Sequence, residues 1–344
     1  MTRPQTSSNI AAQQGTLAVE DTGYVAGIDI GGTNLRLALA DRTGTVLTRR
    51  ASSTAGVRGA DAVMALIGDG VRGLLREVAA PPGALKAIAA GAPGITDVDA
   101  GIVIATSYLM GWRDVPLRAM LEDAFNAPAI VDNDVNLAAI GESWVGAAKG
   151  VRDFVFLAIG TGIGAGIVLN GSPFRGMGWA AGEIGYMLVP GVMDTCCAHD
   201  GPGALESMIG GEGIQSQWQS LWRTDGTALP KNLTATEIFD QALTGEPMAQ
   251  TIFDQSARML SHAIYNMNLV LNCPLFVMGG GVGMHKGFLD ATQSMLNLQN
   301  MQTQTRLRCS TLGTDAQLMG ALRLALDAAG SALARVADEK VQRD

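Results

Sequence analysis

Six consecutive residues, Asp29-Ile30-Gly31-Gly32-Thr33-Asn34, bring together a carboxylate, two glycines, a hydroxyl and an amide. Glycine lets backbone N–H groups approach an anion closely, and Thr33 and Asn34 add side-chain donors. The stretch fits a phosphate cradle, with Asp29 placed to hold a hydrated Mg²⁺ beside the phosphates. It fits equally a glycine-rich hairpin turn that binds nothing. Gly160-Thr161-Gly162-Ile163-Gly164-Ala165-Gly166 repeats the chemistry, and Gly279-Gly280-Gly281-Val282-Gly283 is a third glycine cluster. A nucleotide gripped between two lobes needs phosphate loops and a platform of small residues under its base. The first two clusters suit the loops, through Gly31, Gly32, Thr33, Asn34, Thr161 and Gly162. The third suits the platform, through Gly280 and Gly281. The alternative is three structural turns.

Asp134, in Asp132-Asn133-Asp134-Val135-Asn136, is the candidate general base. A carboxylate at a strand end can accept the proton of a substrate hydroxyl and aim its oxygen at phosphorus. Asp134 or Asp132 could instead simply cap the following helix. Glu183 and Glu206 are further carboxylates suited to paired hydrogen bonds with vicinal sugar hydroxyls, although most glutamates are solvated loop acids. Cys196, Cys197 and His199 are the only clustered soft ligands. Their spacing lacks the usual zinc pattern and an obvious fourth partner.

These residues must be positioned by strands and helices. Tyr24 to Ile28 reads as a buried strand, and Leu35, Leu37 and Leu39 alternate as a second. Asp61 to Ala79 carries a helical period ended by Pro81-Pro82-Gly83. Ala87–Ala90 and Ala129–Val131 are short strands, and a helix is expected from about Leu137 to Ala148. Phe154–Ile159 and Ile167–Leu169 flank the second glycine turn. A helix over about Ala249 to Asn272 precedes Leu275–Met278, and Thr314 to Ala328 is a last amphipathic helix. The order is α/β with an approximate internal duplication, and each glycine turn follows a strand, where active sites of open α/β sheets lie.

The chain has 344 residues, which favours two domains. Hydrophobic residues at 47% and charged ones at 16% suit a well-buried globular enzyme. A net charge of −8 leaves no basic stripe to neutralise nucleic acid. No apolar run reaches the ~18 residues of a membrane span. Residues 1–23 are polar, lack a secretory signal and read as a disordered tail. Four cysteines in a chain this long make no disulfide framework. A cytoplasmic protein is expected.

Over about residues 24 to 330 the chain resembles a sugar kinase of the ROK family, in the actin-like ATPase superfamily. The motifs that carry the resemblance are 29–34, Gly91-Ala92-Pro93-Gly94, Asn133-Asp134-Val135-Asn136, Gly160–Gly164, Gly182-Glu183-Ile184-Gly185 and 279–283. The resemblance implies a two-domain actin-like (ribonuclease H-like) fold, with 24–136 plus 314–330 as the small domain and 137–313 as the large one. It implies ATP-dependent phosphorylation of a hexose, most often at the 6-hydroxyl, with Asp134 as base. Asn133, Asp134, Glu183 and Glu206 would contact the sugar, and the protein would form a homodimer. Glucose is the default substrate, with N-acetylmannosamine, fructose, mannose and allose as alternatives.

Three departures from the family pattern lie on the sugar side. Tyr186 replaces the His usual after Glu-Ile-Gly. The motif C-x-C-G-x-x-G-C-x-E is met by Cys197, His199, Asp200, Gly203 and Ala204 before Glu206. Cys197 and His199 are the only ligand-type residues retained, which puts a structural zinc in doubt. Tyr108 stands where the family commonly has Asn. A catalytically silent sugar-binding protein is one alternative reading. A sugar-responsive repressor is another, but the 23 residues before the first strand carry a single basic residue, Arg3, so DNA binding is not expected.

Overall fold

The computed structural model describes residues 23–189, 202–225, 229–299 and 304–341. The expected tail at 1–23 and the Cys196, Cys197, His199 cluster lie outside them, Gly23 excepted.

Strand β1 (Tyr24–Ile30) is buried from Val25 onward, as befits a strand covered on both faces. It runs antiparallel to β2 (Asn34–Asp41), which pairs in turn with β3 (Val46–Ser53). Helix α1 (Ala60–Glu77) leads to β4 (Leu85–Ala92), parallel to β1. Three short strands follow: β5 (Ile95–Asp97), β6 (Ile102–Ala105) and β7 (Arg113–Val115) form a small sheet that the hydrophobic pattern does not announce. Helix α2 (Leu117–Phe125) then precedes β8 (Ala129–Asn133), which completes the order β3-β2-β1-β4-β8. One face of this sheet packs on Val63, Ile67 and Val71 of α1.

Helix α3 (Asp134–Val145) begins three residues earlier than the hydrophobic pattern suggests, because its cap is polar. The second half repeats the first. Strands β9 (Phe154–Ile159), β10 (Ile163–Leu169) and β11 (Ser172–Phe174) form the antiparallel part. Helices α4 (Ala204–Ile209), α5 (Gly211–Asp225), α6 (Ala235–Leu243) and α7 (Pro247–Leu271) follow. Strand β12 (Leu275–Gly279), the single turn α8 (Gly280–Gly283), α9 (Lys286–Asn297) and β13 (Arg306–Cys309) complete the order β11-β10-β9-β12-β13. Both sheets thus have the same sequence of antiparallel and parallel neighbours, which is the internal duplication expected from the sequence.

Helix α10 (Ala316–Val341) returns to the first sheet, where Leu318, Leu322 and Ala325 pack on Val25 and Ala38. Helix α3 lies between the halves. Leu137 and Ile140 join that α10 cluster, while Ala138 and Ala139 pack on Phe154, Phe156 and Val168. The two helices touch backbone to backbone: a Cβ on Gly320 would overlap the Leu137 carbonyl, and one on Gly141 the Ala316 carbonyl. Among the described residues, no helix is long and apolar enough to cross a membrane.

Candidate active site

The first glycine turn is a tight β1–β2 connection. Gly31 N–H donates to the Asn34 carbonyl at 2.8 Å, so the turn proper is Gly31-Gly32-Thr33, with Asp29 in β1 and Asn34 in β2. Buried Thr54 holds it from behind, its hydroxyl donating to Gly31 O at 2.6 Å and its N–H to Thr33 O at 3.0 Å. The Thr33 and Asn34 side chains stay exposed, linked by an Asn34 Nδ2–Thr33 Oγ1 hydrogen bond of 3.1 Å. Asp29 is buried and faces Arg36, its cross-strand partner, whose Nε donates to Oδ2 at 2.8 Å. Burial raises the Asp29 pKa and Arg36 opposes the rise. Arg36 also donates to the Thr314 carbonyl, tying this acid to the start of α10.

The second turn, between β9 and β10, is closed by Gly160 N–H donating to Gly162 O at 3.0 Å. Helix α5 begins against it: Gly211 N–H donates to Gly160 O at 2.8 Å and Glu212 N–H to Thr161 O at 3.3 Å. Glu206, on α4, accepts from Ile163 N–H through Oε2 at 2.9 Å. A Cβ on Gly162 would sit 2.6 Å from the Tyr108 phenol oxygen and closer still to Glu206 Oε2, so a larger residue would displace those two side-chain ends. The platform abuts this turn. Gly280 takes φ +77°, and a Cβ on it would strike the Ile159 carbonyl, whereas one on Gly281 would meet nothing.

Asp134 is the first residue of α3, but neither aspartate caps the helix. Asn133 does, its Oδ1 accepting from Val135 N–H at 2.8 Å and Asn136 N–H at 3.1 Å. Its amide also donates to Gly94 O at 2.8 Å, which ties the cap to the Gly91–Gly94 loop. With the cap duty taken by Asn133, the Asp134 carboxylate has no side-chain partner among the hydrogen bonds seen, its Oδ1 accepting only from Val135 N–H at 2.9 Å. Removal from water is the largest cause that holds its pKa up at about 7, followed by Asp29 and, more weakly, Glu183. Asp132, only 1% exposed, is engaged instead: Arg175 forms a salt bridge to it, Asn136 Nδ2 donates at 3.2 Å and Asn133 N–H at 2.8 Å. Arg175, which follows β11, therefore links the second half to the end of β8, just before Asp134. Sequence reading missed Arg175 and Arg36. Arg36 was recoverable, since a tight turn at 31–33 puts it opposite Asp29.

Burial and the neighbouring Glu206 carboxylate both lift the Glu183 pKa. Their loops meet at a glycine pair, where a Cβ on Gly203 would overlap the Gly185 carbonyl. Exposed Tyr186 and buried Ala204, at two of the zinc-motif positions, flank that contact and offer no metal ligand. Tyr108 is drawn into the same group. Burial first, then Glu206, Asp134, Glu212 and Glu183, push its phenol up to about 12. Asp29, Asp134, Glu183 and Glu206 are thus near neighbours, with both glycine turns and the platform around them.

Two cavities lie elsewhere. One of 530 Å³ is lined by Gln293, Asn297, Gln304 and Arg306, and one of 450 Å³ sits behind α3 near Trp144, Arg175 and Arg323. Neither is lined by Asp29, Asp134, Glu183 or Glu206.

Residues 25–328 match the ROK family. The chain is 31% identical to a glucokinase of Halalkalibacterium halodurans over 319 residues, spanning 88% of this chain and 94% of that one. It is 30% identical to an N-acetylmannosamine kinase of Citrobacter koseri, over 87% of this chain and 97% of that one. A ROK family glucokinase from Streptomyces griseus, solved in complex with glucose and AMPPNP, superposes with a TM-score of 0.72 at 25% identity, covering 88% and 99% of the two chains.

Proposed function

Because the chain belongs to the ROK family and has its actin-like ATPase fold, we propose that it is a sugar kinase that moves the γ-phosphoryl of ATP to a hexose hydroxyl, with O6 of glucose the leading acceptor. The observation that carries this reading is Asp134. It is a cleft carboxylate released from capping by Asn133, held at a pKa of about 7, beside two glycine turns.

The hexose lies against Asn133, Asp134, Glu183 and Glu206. Asn133 Oδ1 already accepts two amides, so this residue serves the sugar only as a donor through Nδ2. Glu206 engages the sugar while bound to Ile163 N–H, which couples the acceptor to the second phosphate turn. Asp134 takes the hydroxyl proton as the oxygen attacks phosphorus, and ADP leaves. Amides at Gly31–Asn34 and Thr161–Gly162 receive charge on the transferring group. Gly281, whose missing side chain faces open space, leaves room for the base, and Gly280 packs the platform against Ile159. Mg²⁺ would neutralise phosphate charge. It usually keeps waters and takes one or two carboxylates with the phosphates, and Asp29 is the carboxylate placed for that. Residues 24–136 with 314–330 and residues 137–313 act as two domains that close on the sugar and exclude water. The chain works as a homodimer.

The test is an ADP-release assay over glucose, N-acetylmannosamine, fructose, mannose and allose. Phosphorylation of one or more is expected. Sugar binding with no turnover of any would replace the kinase by a catalytically silent sugar binder.

A further inference from the structure

Tyr108 occupies a place the proposed mechanism does not use. Its backbone lies against the first phosphate turn: a Cβ on Gly32 would sit 2.8 Å from the Tyr108 carbonyl oxygen and 3.4 Å from its Cβ. Its phenol oxygen lies against the second turn, at Gly162 beside Glu206. One side chain therefore spans the gap between the two turns, across which a triphosphate would lie. It is 48% exposed, so a ligand can reach it. The ionisable groups that act on it are Glu206, Asp134, Glu212 and Glu183, all carboxylates. Arg36 is engaged by Asp29, and Arg175 by Asp132. A phosphoryl group entering here thus meets acids, backbone amides, the exposed Thr33 and Asn34 side chains of the first turn, and the Tyr108 phenol, which reaches from one turn to the other.

We propose that the Tyr108 phenol is a catalytic hydrogen-bond donor to the γ-phosphoryl group, bridging the two phosphate turns. The inference rests on the kinase reading for the identity of the phosphoryl group. In the transfer, the bond between the γ-phosphorus and the β–γ bridging oxygen breaks as the sugar oxygen bonds to phosphorus. The hydroxyl proton goes to Asp134, and ADP carries away the bridging electron pair. Tyr108 keeps its proton throughout. It donates to a non-bridging phosphoryl oxygen, on the side where Glu206, Asp134, Glu212 and Glu183 act. A donor to an ionised oxygen is among the stronger hydrogen bonds, so its loss is readable.

The discriminating variant is Tyr108→Phe, which keeps the ring and removes only the donor. Affinities for AMPPNP and for ADP, each with Mg²⁺, are measured by calorimetry on wild type and variant, together with sugar affinity and kcat. Tyr108→Phe is expected to weaken AMPPNP by about tenfold or more, to leave ADP and sugar affinities unchanged, and to lower kcat. An unchanged AMPPNP-to-ADP ratio overturns the proposal. So does an effect confined to sugar affinity, which would make the ring a wall of the sugar pocket. If wild type distinguishes AMPPNP from ADP through Tyr108 yet phosphorylates no sugar, this proposal stands and the kinase reading falls. If wild type binds neither nucleotide, both fall.

Discussion

Asp134, held at about 7, changes charge across the neutral range. As a base it works only when ionised, so kcat/KM should climb with pH up to about 7 and level off above it. Asp134→Asn should cost at least about 10²-fold in kcat, the lower end for loss of a general base, and should flatten that profile while sugar still binds. Full activity in the Asn variant would remove Asp134 from the role. The same shift has a sign in stability. A carboxyl whose folded pKa is raised binds its proton more tightly in the native state, so its ionisation destabilises the fold as pH rises from the unfolded value through 7. Asp134→Asn should therefore raise Tm relative to wild type at pH 8 and have little effect at pH 4. Thermal denaturation at the two pH values checks it.

The N-terminus of α3, which carries Asp134, is an assembly of caps and clamps. Asn133→Ala removes the cap and the tie to Gly94, and should cost about 0.5–2 kcal/mol in urea unfolding. Arg175→Met leaves Asp132 buried without its counter-charge, and about 3–5 kcal/mol is expected for breaking a buried pair. A cost near zero in urea unfolding would mean that Asn136 and the Asn133 amide suffice for Asp132. At the other end of α3, Glu142 is fully buried. It accepts from Ala147 N–H at 2.6 Å and Leu312 N–H at 3.2 Å, and from the Ser310 hydroxyl. One helix thus carries Asp134, the proposed base, at its start and anchors the chain's return from β13 to α10 near its end. The helical pattern of 137–148 was legible as a helix, but not its start. Asn133 and Asp134 are polar, and periodicity cannot separate a cap from the first turn. The sheet β5-β6-β7 was illegible too, because strands of three or four residues carry too few alternations to count.

Across the molecule, two sheets of one topology face each other over a crossing helix pair, α3 and α10. Closure of the halves on a sugar is proposed to complete the site. It should appear in solution X-ray scattering as a smaller radius of gyration when the acceptor hexose and AMPPNP are added together. An unchanged radius would make the site rigid and leave water exclusion without a mechanism.

By itself, the sequence determined the three glycine turns and the elements around them. Gly31–Asn34, Thr161–Gly162 and Gly280–Gly281 are local signals, each a short run in which strand, turn and strand or helix follow one another, and the duplicated order of elements follows from them. Only the tertiary structure decided how the carboxylates divide their work. Asp29 opposes Arg36, Asp132 opposes Arg175 from the other half, Asn133 caps, and Asp134 is left without a side-chain partner among the hydrogen bonds seen. These pairings join residues up to 43 positions apart, and the ionisation of a buried acid is set by burial and by neighbours in space. The reach of Tyr108 from Gly32 to Gly162 is of the same kind, since nothing in its local sequence states which loops lie on either side of it.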